Sequence, residues 1–195
     1  MKTYTFHVSL PGTGRTWRKI EMRTDQTLED LHFAIQDAYE WDADHLYSFF
    51  MSEKAWDEST EYCLPEGYDP WGVPMDDEEE ESPEPTPEER EQALRALFGG
   101  GEGMTLEEME AALAAFWEEY LAEEEPGPGN VQTTTLEELN LKLKQEFMYL
   151  FDYGDAWRFK VRVHAISENA DPDAEYPRLV ESVGEAPEQY PAWDE

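Results

Sequence analysis

Cysteine is nearly absent. Cys63 is the one thiol in 195 residues, which excludes an intramolecular disulfide and any cysteine-based structural zinc set. Folding must therefore rest on packing. Long apolar runs are missing too, and nothing approaches the ~18 to 20 residues that a membrane helix needs. Basic residues are scarce: 14 Lys and Arg face 47 Asp and Glu, a net charge of -33. Such a balance disfavours broad attraction to nucleic acid or to an anionic membrane. There is no glycine-rich phosphate loop, no serine nucleophile elbow, no Cys/His pairing at catalytic spacing and no metal-ligand spacing. The sequence thus asks for no cofactor and no metal. The opening "MKTYTFHVSLPG" alternates apolar and polar residues, so it reads as a strand and not as a signal peptide; the expected location is cytoplasmic.

What is present is aromatic and acidic. Aromatics make up 13% of the residues, 7 of them Trp, so the mean hydropathy of -0.78 reflects an acidic surface over a real core. The acids are unevenly spread. Residues 76 to 125 hold 19 of the 47 acids and 2 of the 14 bases. Half the net charge lies in a quarter of the chain, where it suits solubility, a salt-adapted surface or a basic partner.

Periodicity divides the chain. Tyr4, Phe6, Val8 and Leu10 alternate with polar residues, "PGTGR" turns, and "TWRKIEM" returns with Trp17 opposite in parity to Ile20 and Met22, a hairpin pattern. Thr27 and Asp30 form a variant capping box before Leu28, Leu31, Ile35 and Ala38 at helical spacing, which predicts a helix over 27–40. "HLYSFFM" predicts a third strand and "SEK" a turn into a further strand near Trp56. Residues 62–130 then change character. The block "DDEEEESPEPTPEER" repels itself and predicts a flexible linker over 76–87, followed by helices over 88–98 and 105–121. The recurring "TLEDL", "TLEEM" and "TLEEL" at 27, 105 and 135 reflect helix-start physics and not duplication; the third copy predicts a short helix before Leu141.

The stretch "FMYLFDYGDAWRFKVRVHAI", residues 147–166, predicts a central strand with two apolar faces, a turn in which Gly154 takes a positive φ, and a second strand. That strand has a dry face of Trp157, Phe159, Val161, Val163 and Ala165 and a wet face of Arg158, Lys160, Arg162 and His164. Asp152 and Asp155 could form an acid/base or metal pair with His32 or His45, or simply bond the turn's amides. Arg158, Lys160 and Arg162 read either as an ordinary wet face or as a docking stripe for an anionic ligand or the chain's own acidic segment. Arg15, Arg18, Lys19 and Arg23 are candidates to extend it.

"TWRKIEMRTDQTLEDLHFAIQDAYEWDADHLYSFF", "YLFDYGDAWRFKVRV" and "YPRLVESVGEAPEQYP" together resemble the plasmid pRiA-type open-reading-frame-three family, whose members carry WRR-like, LH, W-x-x-x-H-L, Y-DFGD-W and YPR motifs in this order. The resemblance covers residues 1–56 and 131–191 and carries over Trp17, Arg18, Leu31, His32, Trp41, His45, Leu46, Phe49, Asp152, Gly154, Asp155, Trp157, Tyr176, Pro177 and Arg178. The family's DFGD reads "DYGD" here. Its tail cysteines are absent, so no metal or redox role comes with them. Some members bear a resolvase label, but no recombinase signature is present.

These readings give an α+β fold: a mixed sheet with a β-grasp-like (ubiquitin-like) ββαβ start, completed by a C-terminal hairpin, with an acidic helical insertion. The domain is expected over 1–61 and 131–191 and the insertion over 62–130, with a partly closed barrel as the alternative. The expected function is a non-enzymatic interaction module with a protein partner, for which a basic one fits the charge. The alternatives are an enzyme or small-ligand domain using His32, His45, Asp152, Asp155 and Trp157, and a mobile-element or nucleic-acid-associated accessory, an acidic mimic being one form of it.

Overall fold

The computed structural model describes residues 1–75, 86–97, 105–123 and 129–190. The chain divides into two compact units, Met1–Met75 with Gly127–Glu195, and Asp76–Pro126.

In the first unit the predicted hairpin is β1 (Thr3–Ser9) and β2 (Trp17–Arg23), and the helix is α1 (Leu28–Tyr39). β3 (Tyr47–Phe50), β4 (Glu61–Cys63), β5 (Gly129–Asn130), β6 (Glu146–Phe151), β7 (Trp157–Ser167) and β8 (Arg178–Val183) complete the set. Among the described residues, all eight strands form one mixed sheet in the order β5-β4-β3-β6-β7-β1-β2-β8. Its pairs are antiparallel except β4 with β5. Among the described residues the end strands β5 and β8 do not pair, so the sheet does not close into a full barrel.

α1 begins where its capping box forms. The Thr27 hydroxyl accepts from the Asp30 amide at 3.2 Å, and the Asp30 carboxylate accepts from the Thr27 amide at 2.8 Å, which satisfies two otherwise orphaned donors. It ends at Glu40, held in the left-handed region with φ 58°. Between them Leu28, Leu31, Ile35 and Ala38 pack with Tyr4, Phe6, Val8, Ile20, Met22, Tyr149 and Phe159 in the core. Each large apolar side chain buried this way stabilises by ~1.5–3 kcal/mol. β7 keeps the predicted alternation as far as Val163: Phe159, Val161 and Val163 are buried, while Arg158 and His164 are exposed; a register shift against β1 between Thr5 and Phe6 then sets Ala165 opposite Thr5 and brings Ile166, not Ala165, to the core side opposite Tyr4. Phe147, Tyr149 and Phe151 on one face of β6 and Leu150 on the other are all buried, as expected of a strand central to its sheet.

Three local readings differ. Trp56 does not enter a strand; its φ is 63°, and pairing with β3 resumes only at Glu61–Cys63. The boundary expected at residue 62 therefore cuts through β4, and Leu64, next in line, is 7% exposed within the core. The box at residue 135 forms, with the Thr135 amide donating to Glu138 at 2.8 Å, but no helix follows. The Leu136 and Glu137 amides, which a helix would leave unpaired, donate to the Gln26 and Thr24 carbonyls. A single turn forms, with the Leu139 amide donating to the Thr135 carbonyl at 3.4 Å and the Asn140 amide to the Glu137 carbonyl at 3.0 Å, and it ends where Asn140 turns the chain at φ 46°; a cap nucleates a helix only if several residues propagate it.

The second unit contains α2 (Pro87–Leu97) and α3 (Leu106–Glu123). Leu94 and Met109 are buried, and Arg90 pairs with Glu110 across the helices at 3.2 Å. The linker expected over 76–87 lies, up to residue 85, outside the described residues. Among the described residues, no helix is long and apolar enough to cross a membrane.

Candidate functional site

The helical spacing of α1 turns His32 and Gln36 inward, over β6. His32 is fully buried, its ring stacked on Tyr47 with centroids 3.6 Å apart and planes 1° from parallel. The Tyr149 hydroxyl lies 2.6 Å from His32 Nδ1 and accepts from Gln36 Nε2 at 2.6 Å. A hydroxyl carries two lone pairs as well as its proton, so Tyr149 can hold Gln36 and His32 Nδ1 together, while the buried His32 Nε2 has no partner among the described residues. Burial pushes the His32 pKa down to about 3 and raises that of Tyr149. His32 is thus a sealed core residue.

His45 lies elsewhere. Both rings flank Phe151, His32 at 6.1 Å and His45 at 6.0 Å, but they share no hydrogen bond. His45 Nε2 stands 3.6 Å from Asp152 Oδ2 and 3.9 Å from Asp44 Oδ1. Asp44 is itself held by the Gln189 amide and the Tyr190 hydroxyl.

The turn that carries Asp152 differs from expectation. Gly154 does not take the left-handed conformation; Asp152 (φ 55°) and Ala156 (φ 52°) do. Asp tolerates this region because its short carboxylate bonds local amides. Oδ1 accepts from the Gly154 amide at 2.9 Å and the Asp155 amide at 3.3 Å, while the Asp152 amide donates to the Leu46 carbonyl at 3.0 Å. This last bond ties the turn to the segment bearing His45. Asp155 is exposed on the turn. Trp157 packs on Trp41 with centroids 4.9 Å apart, and its buried indole N–H has no partner among the described residues. The structure thus brings His45 and Asp152 together and leaves His32, Asp155 and Trp157 apart from them.

Around this pair lies an open groove of about 360 Å³, lined also by Leu46, Tyr68, Asp69, Pro70, Met75, Tyr153 and Gly154. The Asp69 Oδ1 accepts from the Trp71 and Val73 amides at 3.0 and 2.8 Å. The Tyr153 hydroxyl lies 2.7 Å from Ser48 Oγ and 3.2 Å from the Tyr47 carbonyl; burial pushes its pKa up to about 12. Residues 68–75 were not singled out in the sequence because the stretch reads as the start of the insertion. The Asp-Pro step in "YDPWGVP" marks its turn. Among the described residues, no group of three or more His, Cys, Asp or Glu is placed to hold a metal ion.

Of the three cations on the wet face of β7, Lys160 is the one that is neutralised by ion pairs among the described residues. Lys160 pairs with Glu146 at 2.7 Å and Glu53 at 3.3 Å, and the Glu146 hydrogen bond raises its pKa. On β2, Lys19 pairs with Glu181 at 2.7 Å and lies over Trp17. Arg158 and Arg162 have no ion pair among the described residues. Arg18 does not extend the stripe: its position opposite Val8 puts it on the dry face, 5% exposed. There its Nε donates to the Ala38 carbonyl at 2.7 Å and its Nη1 to the Trp17, Val183 and Gly184 carbonyls. The guanidinium, lying over Tyr39, cross-links the end of α1 to β8, where a cation also suits the helix dipole.

A crystal structure of a protein of unknown function, MM3350 from Methanosarcina mazei Go1, is similar at 21% identity and a TM-score of 0.51, over 93% of this chain and 69% of that one. That likeness shows the fold alone. No curated protein matches the chain. The family model for plasmid pRiA4b ORF-3-like proteins matches residues 2–189. The chain belongs to the plasmid pRiA4b ORF-3-like protein family.

Proposed function

We propose that the chain is a non-enzymatic interaction module that engages a basic segment of a protein partner. The observation that carries this reading is how the candidate groups are distributed. His32 is sealed in the core, Asp155 stands exposed on its turn, and the His45–Asp152 pair opens onto an acidic groove with aromatic and apolar walls. The Tyr153 hydroxyl, which lines the groove, is committed to Ser48 and to the Tyr47 carbonyl, and Ser48 to Glu61. Recognition needs only a concave surface with a few fixed polar groups, which this groove supplies. The net charge of -33 adds a field that steers basic partners toward the chain. In this reading the β1–β2–α1–β3 start is β-grasp-like, Asp76–Pro126 is an acidic insertion into that frame, and the setting is cytoplasmic, where the lone thiol of Cys63 stays reduced.

Fluorescence anisotropy with basic peptides that share one composition and differ in sequence tests the proposal at near-physiological ionic strength, where long-range attraction is screened beyond ~8 Å. The expected result is that affinity depends on peptide sequence. Affinity that follows peptide charge alone would mean bulk ion exchange and would overturn the reading.

A further inference from the structure

We infer that the groove beside His45 and Asp152 is the receptor for a single arginine side chain of the partner, an assignment that rests on the reading above. Its two carboxylates are built alike. Asp152 and Asp69 each spend Oδ1 on two backbone amides of their own turns, which fixes the carboxylate without neutralising it. Asp69 Oδ2 makes no hydrogen bond to the described residues. Asp152 Oδ2 faces His45 at 3.6 Å, beyond hydrogen-bond length, although the Asp152 side chain is only 13% exposed. Asp69 Oδ2 is thus open to an outside donor, and Asp152 Oδ2 has only the His45 ring, at 3.6 Å, beside it among the described residues.

The walls fit the rest of the side chain. Leu46 and Met75 are 40% and 55% exposed, and Tyr68 and Tyr153 line the same groove. Apolar and aromatic surface of this kind takes the methylene stem of a long cationic side chain and the face of its guanidinium. Charge-assisted bonds to a carboxylate are also about twice as strong as neutral ones. The volume of about 360 Å³ lies at the small end of the ~300–1,000 Å³ typical of ligand pockets, which suits one side chain better than a folded surface. An anion would meet two carboxylates. An apolar ligand would strip water from the half-open carboxylates and offer no donor in return.

The probe is N-acetyl-arginine methylamide, titrated into the isotope-labelled full chain and followed by backbone amide and His45 ring resonances. The norleucine analogue serves as the uncharged comparison. Saturable shifts confined to residues 45–46, 68–75 and 152–154 are expected with the arginine probe and not with norleucine. Asp152→Asn keeps an oxygen for the turn amides but removes the charge; it and Asp69→Asn should each weaken binding about tenfold, the equivalent of one charge-assisted bond. Asp155→Asn, which removes the same charge from outside the groove, should change it less than about twofold, because an exposed charge contributes little. Using both groove variants keeps the test decisive if one fails to give a dispersed amide spectrum. Shifts that do not saturate, or an equal loss in Asp155→Asn, would overturn the assignment. Basic peptides that bind the groove variants as well as the parent would overturn the groove and leave the interaction module standing. Arginine binding in the groove without sequence-selective peptide binding would overturn the module and leave the groove.

Discussion

At the scale of one residue, His32 couples acidity to stability. Its folded pKa of about 3 lies below the ordinary value of 6.5, and burial is the cause. The unfolded chain therefore binds the proton more readily than the folded one. Above pH ~6.5 both states are neutral at this site and nothing is lost. As pH falls from ~6.5 toward ~3, stability should fall by about 1.4 kcal/mol per unit from this group, because one pKa unit corresponds to that energy. His32→Gln keeps a polar group near the Tyr149 hydroxyl and removes the titration. Urea unfolding at pH 7 and pH 5 should show a larger acid loss in the parent than in the variant. Equal losses would show that His32 is protonated without penalty, and that the stacked arrangement with Tyr47 is not sealed.

At the scale of an element, β7 is the most informative strand because its two faces do different work. Phe159 is 1% exposed and lies against Tyr39, Trp41 and Tyr149, so Phe159→Ala should cost ~3–5 kcal/mol through lost transfer energy and the cavity left behind. Arg158, next in sequence, points to the wet face and has no ion pair among the described residues; Arg158→Ala should leave the denaturation midpoint nearly unchanged. Similar losses from the two substitutions would mean that the strand's register is shifted by one residue, which would exchange its faces. The other cations near this face show why a basic stripe in sequence is not automatically a binding surface. Lys160 is already shared by Glu146 and Glu53, and Lys19 by Glu181.

At the scale of the whole molecule, 47 acids against 14 bases make self-repulsion the dominant long-range force on the folded state. The exposed pairs that oppose it, such as Arg23–Asp25 and Arg95–Glu91, are of a kind that contributes little. Added salt shortens screening from ~30 Å at 0.01 M to ~10 Å at 0.1 M, so it should relieve repulsion between distant acids before it weakens contact pairs. The melting temperature should therefore rise with sodium chloride over that range. A fall would show that the cross-strand pairs Lys19–Glu181, Lys160–Glu146 and Arg178–Glu21 outweigh the repulsion.

The sequence by itself determined what depends on near neighbours along the chain. The Thr27–Asp30 cap, the helical spacing of Leu28, Leu31 and Ile35, and the alternation of β7 need only a few residues each, and the ordered motifs were enough to point to the family. Even the burial of Arg18 was implicit in its sharing a face with Ile20, but a charged side chain on a dry face is credible only once its partners are known, and the Val183 and Gly184 carbonyls lie 165 and 166 residues away. Tertiary structure decided the rest. It divided two histidines that sequence could place in one cluster, because α1 carries one into the core while the chain before β3 leaves the other at the surface. It denied Gly154 the left-handed conformation and gave it to Asp152, whose amide is claimed by Leu46. It also assembled the groove from residues near 45, 69 and 153, segments that meet because the antiparallel pairing of β3 with β6 brings one end of each strand together, and because the chain leaving β4 folds back over that end instead of departing with the acidic segment.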